Sequence, residues 1–143
     1  MKKKILNALM LAAGSLALPV SASPFDGAQP LICASTEILE CIPGAGCNRV
    51  TAESIDAPQF IRIDFSANEL SAERVGGGTK VSTIERSETV DGKLMLQGAE
   101  DGVEGVRDGL GWTLAIAQET GKMSLTASGD EVGFVIFGAC TAM

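Results

Sequence analysis

Four cysteines, one tryptophan and one acidic, glycine-rich segment are the residues of this chain with chemistry to offer. Cys33, Cys41, Cys47 and Cys140 could pair, hold a metal as thiolates or exchange electrons. Glu100, Asp101, Glu104 and Asp108, set among Gly98, Gly102, Gly105, Gly109 and Gly111, combine carboxylate oxygens with pliable backbone, as a hard cation such as calcium requires. Trp112, directly after Gly109-Leu110-Gly111, can line a binding pocket or plug a core. Histidine is absent, which removes Ser-His-Asp and Cys-His nucleophile systems and imidazole zinc sites.

Each candidate has a plainer reading. The acidic segment, Ala99 to Gly111, lacks the EF-hand spacing and contains Arg107, so a solvated loop at a sheet end is expected. Paired carboxylates could hydrolyse glycosides, but 18 acidic residues give many accidental pairs. Asp64, on the same side of its strand as Arg62, is expected to enter a cross-strand ion pair on the wet face. Neither Ser-x-x-Lys nor Gly-x-Ser-x-Gly occurs, and Gly76-Gly77-Gly78-Thr79-Lys80 lacks the order of a phosphate loop and reads as a hairpin turn. Trp112 is expected to plug the core with its N–H bonded to backbone, a ligand pocket being the alternative. No enzyme, cofactor or metal centre is expected.

The cysteines are read through their compartment. Residues 1–22 have the form of a secretory signal peptide: Lys2, Lys3 and Lys4, an apolar stretch from Ile5 to Leu18, then Val20-Ser21-Ala22 before a cut ahead of Ser23. The run is too short for the ~20 apolar residues of a membrane span, so no stable insertion is expected after cleavage. Loss of the three lysines changes the charge from -7 to -10, eight basic residues against 18 acidic, which makes nucleic acid an unfavourable partner. In an oxidising periplasmic or extracellular space an even cysteine count predicts disulfides. Three pairings are open. Cys41–Cys47 across Ile42-Pro43-Gly44-Ala45-Gly46, with Cys33–Cys140 joining first strand to last, is favoured.

The elements that must position these groups are strands. Apolar residues recur with period two: Ile61, Ile63 and Phe65; Leu94 and Leu96; Trp112, Leu114 and Ile116; Met123 and Leu125. Val132 to Ala139 is apolar on both faces, which predicts a strand covered on both sides or one closing a barrel seam. Asp91-Gly92 is a hairpin dipeptide, and Thr120-Gly121 and Gly129-Asp130 separate the last runs. Only Ser66 to Arg74 offers a turn or two of helix. The expected fold is all-β: one domain, residues 23–143, an antiparallel meander of about eight strands closing into a small barrel or curved sandwich stapled by disulfides.

The residues Leu96-Gln97-Gly98, Gly111-Trp112-Thr113-Leu114-Ala115-Ile116, Thr120-Gly121 and Gly133-Phe134-Val135-Ile136-Phe137-Gly138-Ala139-Cys140-Thr141 resemble a group of small exported proteobacterial β-proteins to which no activity is attached. The resemblance covers most of the mature chain and implies a periplasmic β-protein. A weaker likeness is to periplasmic c-type lysozyme inhibitors, whose Ser-Gly-x-x-Tyr loop has its nearest match in Ser128-Gly129-Asp130-Glu131-Val132. The tyrosine is missing here, so no inhibitory contact carries over.

Two functions follow as expectations. One is a non-catalytic binding or accessory module that recognises a periplasmic protein or envelope component, an inhibitor of a basic hydrolase being one form of it. The other is a lipocalin-like carrier of a small apolar ligand near Trp112. The candidate binding residues are Trp112, Glu100, Asp101, Glu104 and Asp108.

Overall fold

A computed structural model describes residues 23–74, 76–102 and 104–143, so the expected signal segment 1–22 lies outside the described residues. Among the described residues ten antiparallel strands form one sheet: β1 (Leu31–Ile42), β2 (Gly46–Val50), β3 (Phe60–Asp64), β4 (Glu69–Glu73), β5 (Thr79–Thr83), β6 (Arg86–Val90), β7 (Lys93–Glu100), β8 (Leu110–Ala117), β9 (Lys122–Ser128) and β10 (Gly133–Ala142). The ladder runs β5-β4-β3-β1-β10-β9-β8-β7-β6, with β2 paired to the far part of β1. The sheet curls into a half-barrel. Its two ends approach where β5 leads into β6: the Glu85 N–H donates to the Gln97 carbonyl at 2.9 Å, and Ser82 donates to the Ala99 carbonyl at 3.2 Å.

Alternation decides which side chains enter the concave face. Ile61, Ile63, Leu94, Leu96, Leu114, Ile116, Met123 and Leu125 point inward and form one core with Leu31, Cys33, Ile136 and Cys140. A bulge between Ser35 and Glu37 shifts the inward parity of β1, so that Ile38 meets Ile136 inside although Leu31 and Cys33 precede it at odd positions. Hairpin chemistry matches the turns. Asp91 and Gly92 both have positive φ, 48° and 70°, as a two-residue turn between β6 and β7 needs.

The first and last strands are neighbours at the centre of the sheet. Cys33 lies opposite Cys140 in the β1–β10 ladder, and Cys41 opposite Cys47 in the β1–β2 hairpin; both pairs are disulfide-bonded. The topology therefore consists of two wings, residues 31–83 and 86–128, joined through β10, which pairs with β1 on one side and β9 on the other.

Three local expectations are corrected. Ser66 to Arg74 is a turn followed by β4, because Leu70 and Ala72 fill the core on alternate positions; the described residues have helical turns only in a short 3-10 segment, Glu53–Ile55. The strand β10 is not covered on both sides, since Phe137 on its outer face is 42 % exposed. Among the described residues Asp64 makes no cross-strand ion pair. Its carboxylate accepts from the Ser66 N–H and hydroxyl and the Ala67 N–H, closing the β3–β4 turn, while Arg62 reaches the Met143 sulfur.

One end of the curl is filled. Residues 23–30 cross it, with Phe25 against Gly121 and Gly27 against Leu94 and Phe65. The Ser23 hydroxyl holds this segment by donating to the Gln118 carbonyl and accepting the Phe25 N–H.

Candidate functional site

The opposite end of the curl is covered only in part, by the segment 52–58, whose Ala52, Ile55 and Ala57 pack against the core. A pocket of about 290 Å³ lies there. Its floor is the inward row of four strands, with Leu110 and Trp112 from β8, Leu125 and Ala127 from β9, Phe134 and Ile136 from β10, and Ile61 from β3. One wall comes from the segment after the 3-10 turn, where Ile55, Ala57 and Pro58 lean over the mouth. The lining is apolar because a strand that alternates must send all its inward residues to the same side, whether or not anything fills the space above them. A larger depression of about 490 Å³ over the outer faces of β1, β3 and β4, lined by Ile32 and Phe60 together with Arg62, Ser71 and Glu73, is shallower and less enclosed.

Trp112 belongs to both core and pocket. It is only 6 % exposed, yet one part of its ring lines the cavity. Its indole N–H donates to the Ser82 hydroxyl at 2.8 Å, and Ser82 in turn donates to the Ala99 carbonyl. The expected partner was backbone; the observed one is a buried serine from the other wing, which spans the approach between β5 and β7. The ring is able to lie flat across β7 because the residue opposite it is Gly98, where any Cβ would strike both the indole and the Thr83 carbonyl.

Charges ring the mouth. Asp56 is bound by Arg74, and Glu100 by Lys80, while Asp108 adds a third carboxylate. The Arg74 guanidinium is the main reason that the Asp56 carboxyl sits below its ordinary value. Asp56 itself stands at φ 51°, ending the 3-10 turn in a left-handed conformation that an aspartate tolerates. Across the mouth, Asp108 is packed where a side chain on Gly102 would have to go.

Of the five residues singled out from sequence, the structure brings Trp112, Glu100 and Asp108 to one pocket. Asp101 and Glu104 lie exposed on the loop beside it. The acidic residues do not converge: among the described residues no three carboxylates or thiolates are grouped as metal ligands. Sequence reasoning missed Ser82, Arg74, Asp56 and Lys80. Ser82 and Lys80 lie on a short, mostly exposed strand without strong alternation, and Asp56 and Arg74 meet only through the tertiary fold. No family model matches the chain, and no curated protein or solved structure matches it either.

Proposed function

We propose that this chain is an exported, non-catalytic binding module, periplasmic or secreted, and that its binding element is the open mouth of the curled sheet. The observation that carries the reading is the asymmetry of the two ends: residues 23–30 cross one, whereas at the other the segment 52–58 only partly roofs an apolar pocket lined by Leu125, Ala127 and Phe134. A concave apolar pocket with a few polar groups at its rim is the usual form of a small-ligand site. Two disulfides support work in an oxidising compartment, and no helix among the described residues is long and apolar enough to cross a membrane. The near approach of β5 to β7 supports a barrel-like container.

The test is titration of the oxidised chain with the apolar fluorophore N-phenyl-1-naphthylamine. Saturable one-to-one binding with quenching of the single tryptophan is expected, and Ala127→Phe, which fills the pocket, should abolish it. Absence of saturable binding, or binding indifferent to A127F, would overturn the pocket reading.

Recognition of a protein partner is a second reading, favoured by Phe60 and Phe137, which stand 56 % and 42 % exposed on outer faces of β3 and β10. Its test is retention of a basic lysozyme by the immobilised chain. Salt-sensitive retention lost in the Phe60→Ala, Phe137→Ala double variant would support it, and a clean column would remove that target.

A further inference from the structure

We infer that the mouth takes an amphipathic cation, with its apolar tail in the curled interior and an ammonium-type head at the rim. This rests on the pocket reading proposed above and assigns the ligand its chemistry.

The interior excludes a polar tail. The Trp112 N–H and the Ser82 hydroxyl are already bonded to each other and to backbone, and no buried side-chain nitrogen or oxygen among the described residues lacks a partner. A hydroxyl or amide pushed into this space would lose its water and gain nothing. A cavity of about 290 Å³ compares with roughly ten waters at ~30 Å³ each, so an eight-carbon chain is a suitable tail.

The rim distinguishes between heads. Both of its cations are engaged: Arg74 on Asp56 and Lys80 on Glu100. An anionic head would have to break one of these pairs or lie against carboxylates. A cationic head need break nothing, because each carboxylate has about four lone-pair sites and can accept a further N–H donor while keeping its present one. Asp108 brings the pocket lining to three carboxylates against two cations. The chain as a whole carries -7, which draws cations toward the opening. Arg74, Asp56 and Lys80 are substantially exposed, so the preference is moderate and sensitive to salt.

The experiment compares three probes with one tail: octylammonium, 1-octanol and octanoate, each titrated at neutral pH against Trp112 fluorescence and displacement of the naphthylamine. At low salt octylammonium should bind at least tenfold more tightly than octanoate, with octanol between, and the gap should close as salt rises. Glu100→Gln, which removes a rim carboxylate and releases Lys80, should narrow the gap. If octanol binds but the two ions bind equally, or octanoate binds better, the head-group inference fails and the pocket reading stands. A gap that E100Q leaves intact, with octanol also unchanged, likewise overturns the role of the rim. If none of the three binds, both fail.

Discussion

At the residue scale, the pocket depends on one polar contact inside an otherwise apolar core. Ser82 is 4 % exposed and supplies the only partner seen for the Trp112 N–H. Ser82→Ala strands that donor in the core, and an unsatisfied buried group costs about 1–3 kcal/mol. Urea denaturation followed by tryptophan emission should register a loss of that size. The exposed carboxyls act differently. Glu53 is held below its ordinary value chiefly by a backbone hydrogen bond, Asp56 by Arg74 and Asp64 by the Ser66 hydroxyl. A depressed folded pKa means that folding favours the ionised form. The stabilisation is therefore complete above the ordinary values, 3.8 for Asp and 4.5 for Glu, and is lost as pH falls through the lower folded values. Denaturation midpoints should be level above about pH 5 and decline in acid, with a shallower decline in Asp64→Asn. Asp64 also shows where sequence reading stops. Its alternation with Ile63 and Phe65 placed it outside the core, but only the turn geometry reveals that its partners are two and three residues ahead rather than across the strand.

At the scale of elements, what could be read was whatever burial imposes on spacing. The hairpin of β6 and β7 was legible because Asp91-Gly92 demands positive φ, and β8 and β9 because Leu114, Ile116, Met123 and Leu125 alternate into the core. The strand β2 was not legible: Gly46–Val50 is exposed along nearly its whole length, so no pattern of burial marks it. The strand β4 was obscured by helix-forming residues, Glu69, Leu70, Ala72 and Glu73, whose local preference yields to the packing of Leu70 and Ala72. The bulge in β1 changed the inward parity midway through a strand, and no single period describes that. The two disulfides differ in what they constrain. Cys33–Cys140 spans 107 residues and Cys41–Cys47 spans 6, so loop-closure entropy assigns about 5 and about 2 kcal/mol respectively. Paired Cys→Ala variants should rank in that order by denaturant midpoint; equal losses would mean that local packing, not chain restriction, dominates.

At the scale of the molecule, the mouth exists because both wings contribute to it: Ile61, Leu70 and Arg74 come from one, Trp112, Leu125 and Glu100 from the other. Trp112, Glu100 and Asp108 could be marked from sequence, but not their meeting with Ile61, Leu70 and Arg74, since that depends on how far the sheet curls. A chain ending at residue 132 would keep the local hairpins of each wing but lose the strand that lies between β1 and β9. Such a chain should give strand-like far-ultraviolet dichroism without a cooperative thermal transition, whereas a sharp transition would show that one wing folds alone. The position of β10 also sets a timetable. Its partners Leu31 and Ala142 are separated by nearly the whole described chain, a separation that makes folding slow because the ends must meet before their contacts stabilise anything. A ribosome delivers β10 after the other described strands, so the β1–β10 ladder cannot form until then. Late completion of this kind would suit the export proposed above, keeping the polypeptide threadable in a narrow channel and folded only on the far side.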